Sequence, residues 1–156
     1  MSVIIAIARF LLGWVVASVV TAVVAVVFQT QNIVSRLNAV GGDVGFSDRM
    51  SSTVYDLTHF GPHYFLPAAA GLLVAFAVGA VVYYFAKVGR PVVFAVAGAV
   101  AILVMLVAMK NAFFGVQLVG GARDGVGFAF QLLAGAIGGL VFARLTRPKP
   151  TSSLRR

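Results

Sequence analysis

Glutamate and cysteine are absent from this chain, and its only acids are Asp43, Asp48, Asp56 and Asp124. Without cysteine there is no disulfide, no thiolate metal site and no cysteine nucleophile. Without glutamate, the mechanism of the four-span multidrug carriers, which rest on a membrane-embedded glutamate, is excluded. Charge of either sign is scarce. Charged residues make up 10% of the sequence, against about 25% in a soluble domain, so a water-soluble core is excluded.

What the chain has instead is apolar length. Hydrophobic residues account for 61% of its 156 positions. They concentrate in Phe10–Phe28, Tyr64–Ala86, Pro91–Met109 and Val126–Ala143. Each run approaches the roughly 20 residues a helix needs to cross the hydrocarbon core. The sequence predicts one all-α integral-membrane domain, a four-helix transmembrane bundle with a short outer amphipathic helix between spans 1 and 2. Residues 29–63 and 110–125 form the outer loops, and 144–156 a basic tail. The first run is long for the apolar region of a signal peptide, and no small-residue cleavage site precedes Gln29, so it reads as a retained helix.

The charges partition. Arg9, Lys87, Arg90, Arg144, Arg147, Lys149, Arg155 and Arg156 flank one side with no acid among them. Arg36, Arg49, Lys110 and Arg123 share the other side with all four aspartates, so the entire net charge of +8 lies on one face. Lys/Arg excess in short flanking loops marks the cytoplasm. The expected location is the bacterial inner membrane with both termini cytoplasmic. The basic tail lacks interleaved aromatics, which argues for anionic headgroups as its partner rather than nucleic acid.

Outside the spans the pattern continues. Ile33, Leu37 and Val40 extend the first helix outward, and Gly41-Gly42 supplies a left-handed cap. Ser47 reads as an N-cap for a helix over Asp48–His59, with Met50, Val54 and Leu57 as its apolar stripe. Gly61-Pro62 breaks it. The second span begins at Pro62, or a few residues later with Pro67 in its first turn. The apolar, glycine-rich loop Ala112–Ala122, which includes Leu118, is too short to span. A dip into lipid would leave amides unpaired, so a flat interfacial course is expected.

Every span carries small residues four apart: Gly13, Ala17, Thr21 and Ala25; Gly71, Ala75 and Gly79; Ala97 and Ala101, with Ala95 and Ala99; Gly127, Gly135, Gly139 and Ala143, with Gln131 on that stripe. Lipid gives no hydrophobic drive between helices, so close backbone approach is what such ladders offer. The same faces allow a second copy or another membrane protein as partner. Trp14, Tyr64, Tyr83 and Tyr84 lie near span ends and read as interfacial belt residues.

Candidate chemistry is thin. Mid-span polarity is limited to Ser18, Thr21 and Gln131, with no ionisable group for ion or proton coupling. Outer polarity gathers at Arg36, Asp48, Arg49, Asp56, Lys110, Arg123 and Asp124, the last positioned to cap span 4. Asp56, His59 and His63 have ligand-like spacing, but the Gly61-Pro62 break separates His63 from the other two, so no metal and no cofactor is expected. Ser51 or Ser52 with His59 and Asp56 lacks any nucleophile elbow. The leading expectation is a non-catalytic membrane accessory or scaffold protein. The alternatives are a homo-oligomeric channel or facilitator, and a lipid-binding protein or membrane enzyme using the outer polar residues.

Overall fold

The computed structural model describes residues 2–85, 88–116 and 119–147. The end of the second predicted span at Ala86, the loop cation Lys87, Leu118, and Lys149, Arg155 and Arg156 of the tail lie outside the described residues. Within them every regular element is a helix and there is no strand. α1 covers Ser2–Ala39, α2 Phe46–His59, α3 Gly61–Phe85, α4 Arg90–Ala112 and α5 Gly125–Leu145, with a single 3-10 turn at Gly120–Ala122. Four of these, α1, α3, α4 and α5, are long and apolar enough to cross a membrane.

α5 lies between α1 and α4, and α3 closes the bundle against α4 and α1. Two apolar clusters fill the interior. Tyr64, Ile102, Leu106, Ala25 and Ala134 occupy the outer half. Phe76, Phe94, Phe142, Leu72 and Ala17 occupy the basic half. Phe142 stacks on Phe76 with centroids 4.2 Å apart and meets Phe94 edge-on at 4.9 Å. These rings plug the axis of the bundle where the cations gather.

The tightest seam joins α4 to α5. A methyl group built on Gly98 would collide with the Gly135 carbonyl, and one on Gly135 with the Gly98 carbonyl. One on Gly139 would collide with the Phe94 carbonyl and come within 3.0 Å of Ala95 Cα. On a neighbouring face of α5, Gly138 sits against Thr21 Oγ1 and the Ala17 carbonyl of α1. Only hydrogen at these positions lets the backbones touch, which is how helices gain dispersion contact in lipid. The sequence ladders of span 3 pass through Ala97–Ala101 and Ala95–Ala99. Ala97 and Ala101 meet Gly79 and Gly71 of α3, Ala95 meets Gly139, and the closest approach to α5 adds Gly98, which lies between the ladders.

α1 is 38 residues long, or about 57 Å at 1.5 Å per residue. That is nearly twice the ~30 Å hydrocarbon core, so the helix is longer than a crossing requires. The helix ends in a complete Schellman motif. Gly41 adopts φ +92°, its N–H donates to the Asn38 carbonyl at 3.2 Å, and the Gly42 N–H donates to Leu37 at 3.0 Å.

Three local expectations change. α2 starts at Phe46 with Gly45 as its N-cap, not at Asp48 with Ser47 as the cap. Pro67 lies inside α3, because that helix already begins at Gly61. Tyr64 is not a belt residue: it is 2% exposed, in the core. The link between α2 and α3 is only Phe60, whose N–H donates to Asp56 and whose carbonyl accepts from Tyr64. The Gly61-Pro62 break is thus a junction of one residue.

Candidate functional site

The polar chemistry sits at one end, built on the outer turns of α1. These turns carry Gln29, Thr30, Gln31, Asn32 and Arg36, and each neighbouring segment is latched to one of them. Thr30 Oγ1 donates to Asp56 Oδ2 of α2 at 2.7 Å. Gln31 Nε2 donates to Thr53 Oγ1 at 3.3 Å. Asn32 Nδ2 donates to both the Gly121 carbonyl and Asp124 Oδ1, each at 3.1 Å. Arg36 pairs with Asp124 Oδ2 at 3.2 Å.

Asp124 is the hub. Its Oδ1 also accepts from the Gly127 N–H at 3.1 Å, capping α5. Partial desolvation works to raise this carboxyl. The hydrogen bonds from Asn32 and Gly127 and the Arg36 charge outweigh it and hold the group below the ordinary carboxylate value. The loop before α5 divides accordingly. Phe113, Phe114 and Val116 stay exposed, whereas Val119 and Ala122 join the core and Gly121 packs on Gln29. Its second half is therefore tucked over the bundle rather than lying flat.

A buried link runs inward from this cap. Tyr64 Oη donates to Gln131 Oε1 at 2.9 Å, and Gln131 Nε2 donates to the Ala25 carbonyl at 3.1 Å, tying α3, α5 and α1 together. Thr21 Oγ1 returns its proton to the Ala17 carbonyl at 2.8 Å. Ser18 Oγ and Gln29 Oε1 are buried without a partner among the described residues. Gln131 spends both ends of its amide on structure. Trp14, another belt candidate, donates from Nε1 to the Ala69 carbonyl at 2.8 Å.

The sequence candidates distribute as follows. Asp56 turns to α1, His59 stacks on Tyr55 and bonds its carbonyl, and His63 Nδ1 meets the His59 carbonyl. Among the described residues no group of three or more His, Cys, Asp or Glu comes together as a metal site. Asp48 lies in the first turn of α2, where its charge favours the helix dipole. Arg49 Nε reaches back to the Val44 carbonyl, and Lys110 sits in the last turn of α4. Arg123 follows the 3-10 turn, immediately before Asp124. Gly13 faces Thr146 and Phe142, Ala17 is fully buried against α5, and Gly71 and Gly79 approach Ala101 and Ala97 of α4. Ala75 packs at the edge of the aromatic cluster.

Asn32 and Thr30 are working residues that the sequence gives no role, and Tyr64 is one that it assigns to the interfacial belt. Asn32 and Thr30 lie in a helix whose apolar stripe has left the membrane, and polar residues there have loops to hold rather than lipid to meet. No known protein family, curated protein or solved structure matches this chain.

Proposed function

We propose that this is a small membrane scaffold: a close-packed four-helix anchor that holds a structured outer cap for a partner membrane protein. Its proposed setting is a bacterial inner membrane with both termini cytoplasmic. The cation partition supports that orientation, since Arg9 and Arg90 contact Arg147 and Thr146 at one end and every aspartate lies at the other.

The observation that carries the reading is the orientation of α2. This helix turns its polar side inward, through Thr53 and Asp56, onto α1. Most of its apolar side chains face out: Phe46 is 78% exposed, Met50 53% and Val54 54%, while Leu57, the last of the stripe, is half-buried. A helix that lies on its own protein through hydrogen bonds and shows apolar side chains outward is arranged for another surface. A shallow depression lined by Phe46, Met50, Val54 and Tyr55 together with Ser47, Ser51 and Thr58 marks the place. The ring-filled axis and the absence of a mid-span ionisable group weigh against conduction.

Photo-crosslinking in native membranes tests this. A probe at Met50 or Val54 should give one discrete adduct with another protein, and a probe at Val96, on the lipid face of α4, should give none. Absence of an adduct from α2, together with solute flux through proteoliposomes, would replace the scaffold by the channel reading.

A further inference from the structure

The basic end of the bundle carries a second feature that the scaffold reading does not use. An open apolar groove of about 710 Å³ runs between α3 and α4. Its walls are valines and small residues, from Val82 and Val93 at the basic end to Pro67 and Met109 at the outer end. Val93 to Met109 spans about 24 Å at 1.5 Å per residue. Arg90 to Val100 spans about 15 Å at 1.5 Å per residue, the hydrocarbon depth of one leaflet.

Arg90 lies just beyond the basic end of this groove, outside its lining, with its guanidinium held against the end of α5. It begins α4 one turn before Val93, with Ala97 and Val104 following at seven-residue intervals on the same face. Its guanidinium is fixed rather than floating. Nη2 donates to the Thr146 carbonyl at 3.0 Å and to Thr146 Oγ1 at 2.7 Å. The plane lies 5.5 Å from the Tyr83 ring centre and 5.0 Å from that of Phe94. Nε is buried without a partner, and Nη1 makes no hydrogen bond among the described residues. Arg9 donates to the Arg147 carbonyl at 3.0 Å, which brings further cations to the same end. No aspartate is there to neutralise them.

We infer that this end binds one anionic phospholipid of the adjacent leaflet, with its phosphate on Arg90 and an acyl chain in the α3–α4 groove. With Nη2 spent on Thr146 and Nε buried, Nη1 is the donor left for a phosphate oxygen, a charge-assisted contact from a fixed guanidinium. The headgroup layer lies level with Arg90, and basic pockets between membrane helices are where anionic headgroups gather. The apolar groove meets that layer at the point where a lipid tail leaves its headgroup. The inference stands apart from the outer cap and its partner, so its test does not turn on theirs.

The test uses the full chain purified in a neutral detergent, with lipid retention read by native mass spectrometry. Phosphatidylglycerol and phosphatidylcholine with identical chains are compared. Wild type should retain phosphatidylglycerol about fivefold more, the factor expected for one basic group at the surface. Arg90→Gln should bring the two lipids to parity, Arg90→Lys should keep part of the preference, and Lys110→Gln at the other end should keep all of it. Val96→Phe, which fills the groove on an exposed position, should lower retention of both lipids without changing their ratio. Equal retention by wild type would overturn the site, as would a preference that survives Arg90→Gln. Full displacement by inorganic phosphate would leave a phosphate site without a lipid, and so would also overturn it.

Discussion

Inside the membrane, α4 and α5 touch through backbone atoms at Gly98, Gly135 and Gly139. Outside it, α1, α2 and the loop before α5 touch through side chains at Thr30, Asn32, Arg36 and Asp124. The difference follows the solvent. Lipid competes for no hydrogen bonds and rewards no apolar burial, so contact area between backbones is what remains to be gained. At the surface, water competes for every polar group, so each latch is weak alone, and the cap holds because one aspartate takes three partners.

The largest test of this contrast lies in the membrane. Gly98→Leu or Gly139→Leu must push two backbones apart at a contact with no slack, an overpacking cost of about 3 kcal/mol or more. Detergent-solubilised variants should melt several degrees lower or fail to fold, while Val96→Leu, on an exposed lipid-facing position, should melt like wild type. Wild-type melting of both glycine variants would mean that the seam is not closed.

A middle-sized effect belongs to the buried link. Gln131→Leu removes the partner of the Tyr64 hydroxyl and of the Ala25 carbonyl. Membrane hydrogen bonds average ~0.6 kcal/mol each, and the hydroxyl is left unpaired, so a loss of about 1 kcal/mol is expected. Adding Tyr64→Phe removes the orphaned group, so the double variant should recover part of that loss in a thermal melt. Purely additive losses would place the hydroxyl and the amide in separate networks.

The cap should respond to acid. The Asp124 carboxyl is depressed in the folded chain, so its contribution is fully present above the ordinary value of 3.8 and is lost as pH falls through the lower folded value. Acidification below about pH 4 should therefore lower the protection of the Gly127 amide, relative to an unfolded chain at the same pH, before it alters the helices. Protection at Gly127 that stays flat to about pH 2 would remove Asp124 from the capping role. The smallest effect is that of Arg36→Gln. Its side chain is 53% exposed, so the variant should loosen the cap slightly at low salt and match wild type at high salt.

The four spans were legible because composition and length decide them before any packing does. The glycine ladder of span 4 was legible as a packing face, but its mate was not. Gly98 sits alone between two alanine ladders, and nothing local distinguishes a lone glycine that meets another helix from one that meets lipid. Tyr64 was misread for a related reason. A tyrosine near a span end has the composition of a belt residue, and only the register of α5 puts Gln131 within reach of its hydroxyl. The cap was half legible. Asp124 announced itself as a helix cap, whereas Asn32 needed residues 89 and 92 positions away to acquire a role.

Hydrogen exchange of Gly139→Leu and Asp124→Asn, measured side by side in the same micelles, tests the contrast most directly. The account predicts that Gly139→Leu accelerates exchange along both α4 and α5, and that Asp124→Asn accelerates it only from the 3-10 turn to the first turn of α5. Exchange that spreads through α4 in Asp124→Asn, or stays within one turn of the substitution in Gly139→Leu, would contradict it.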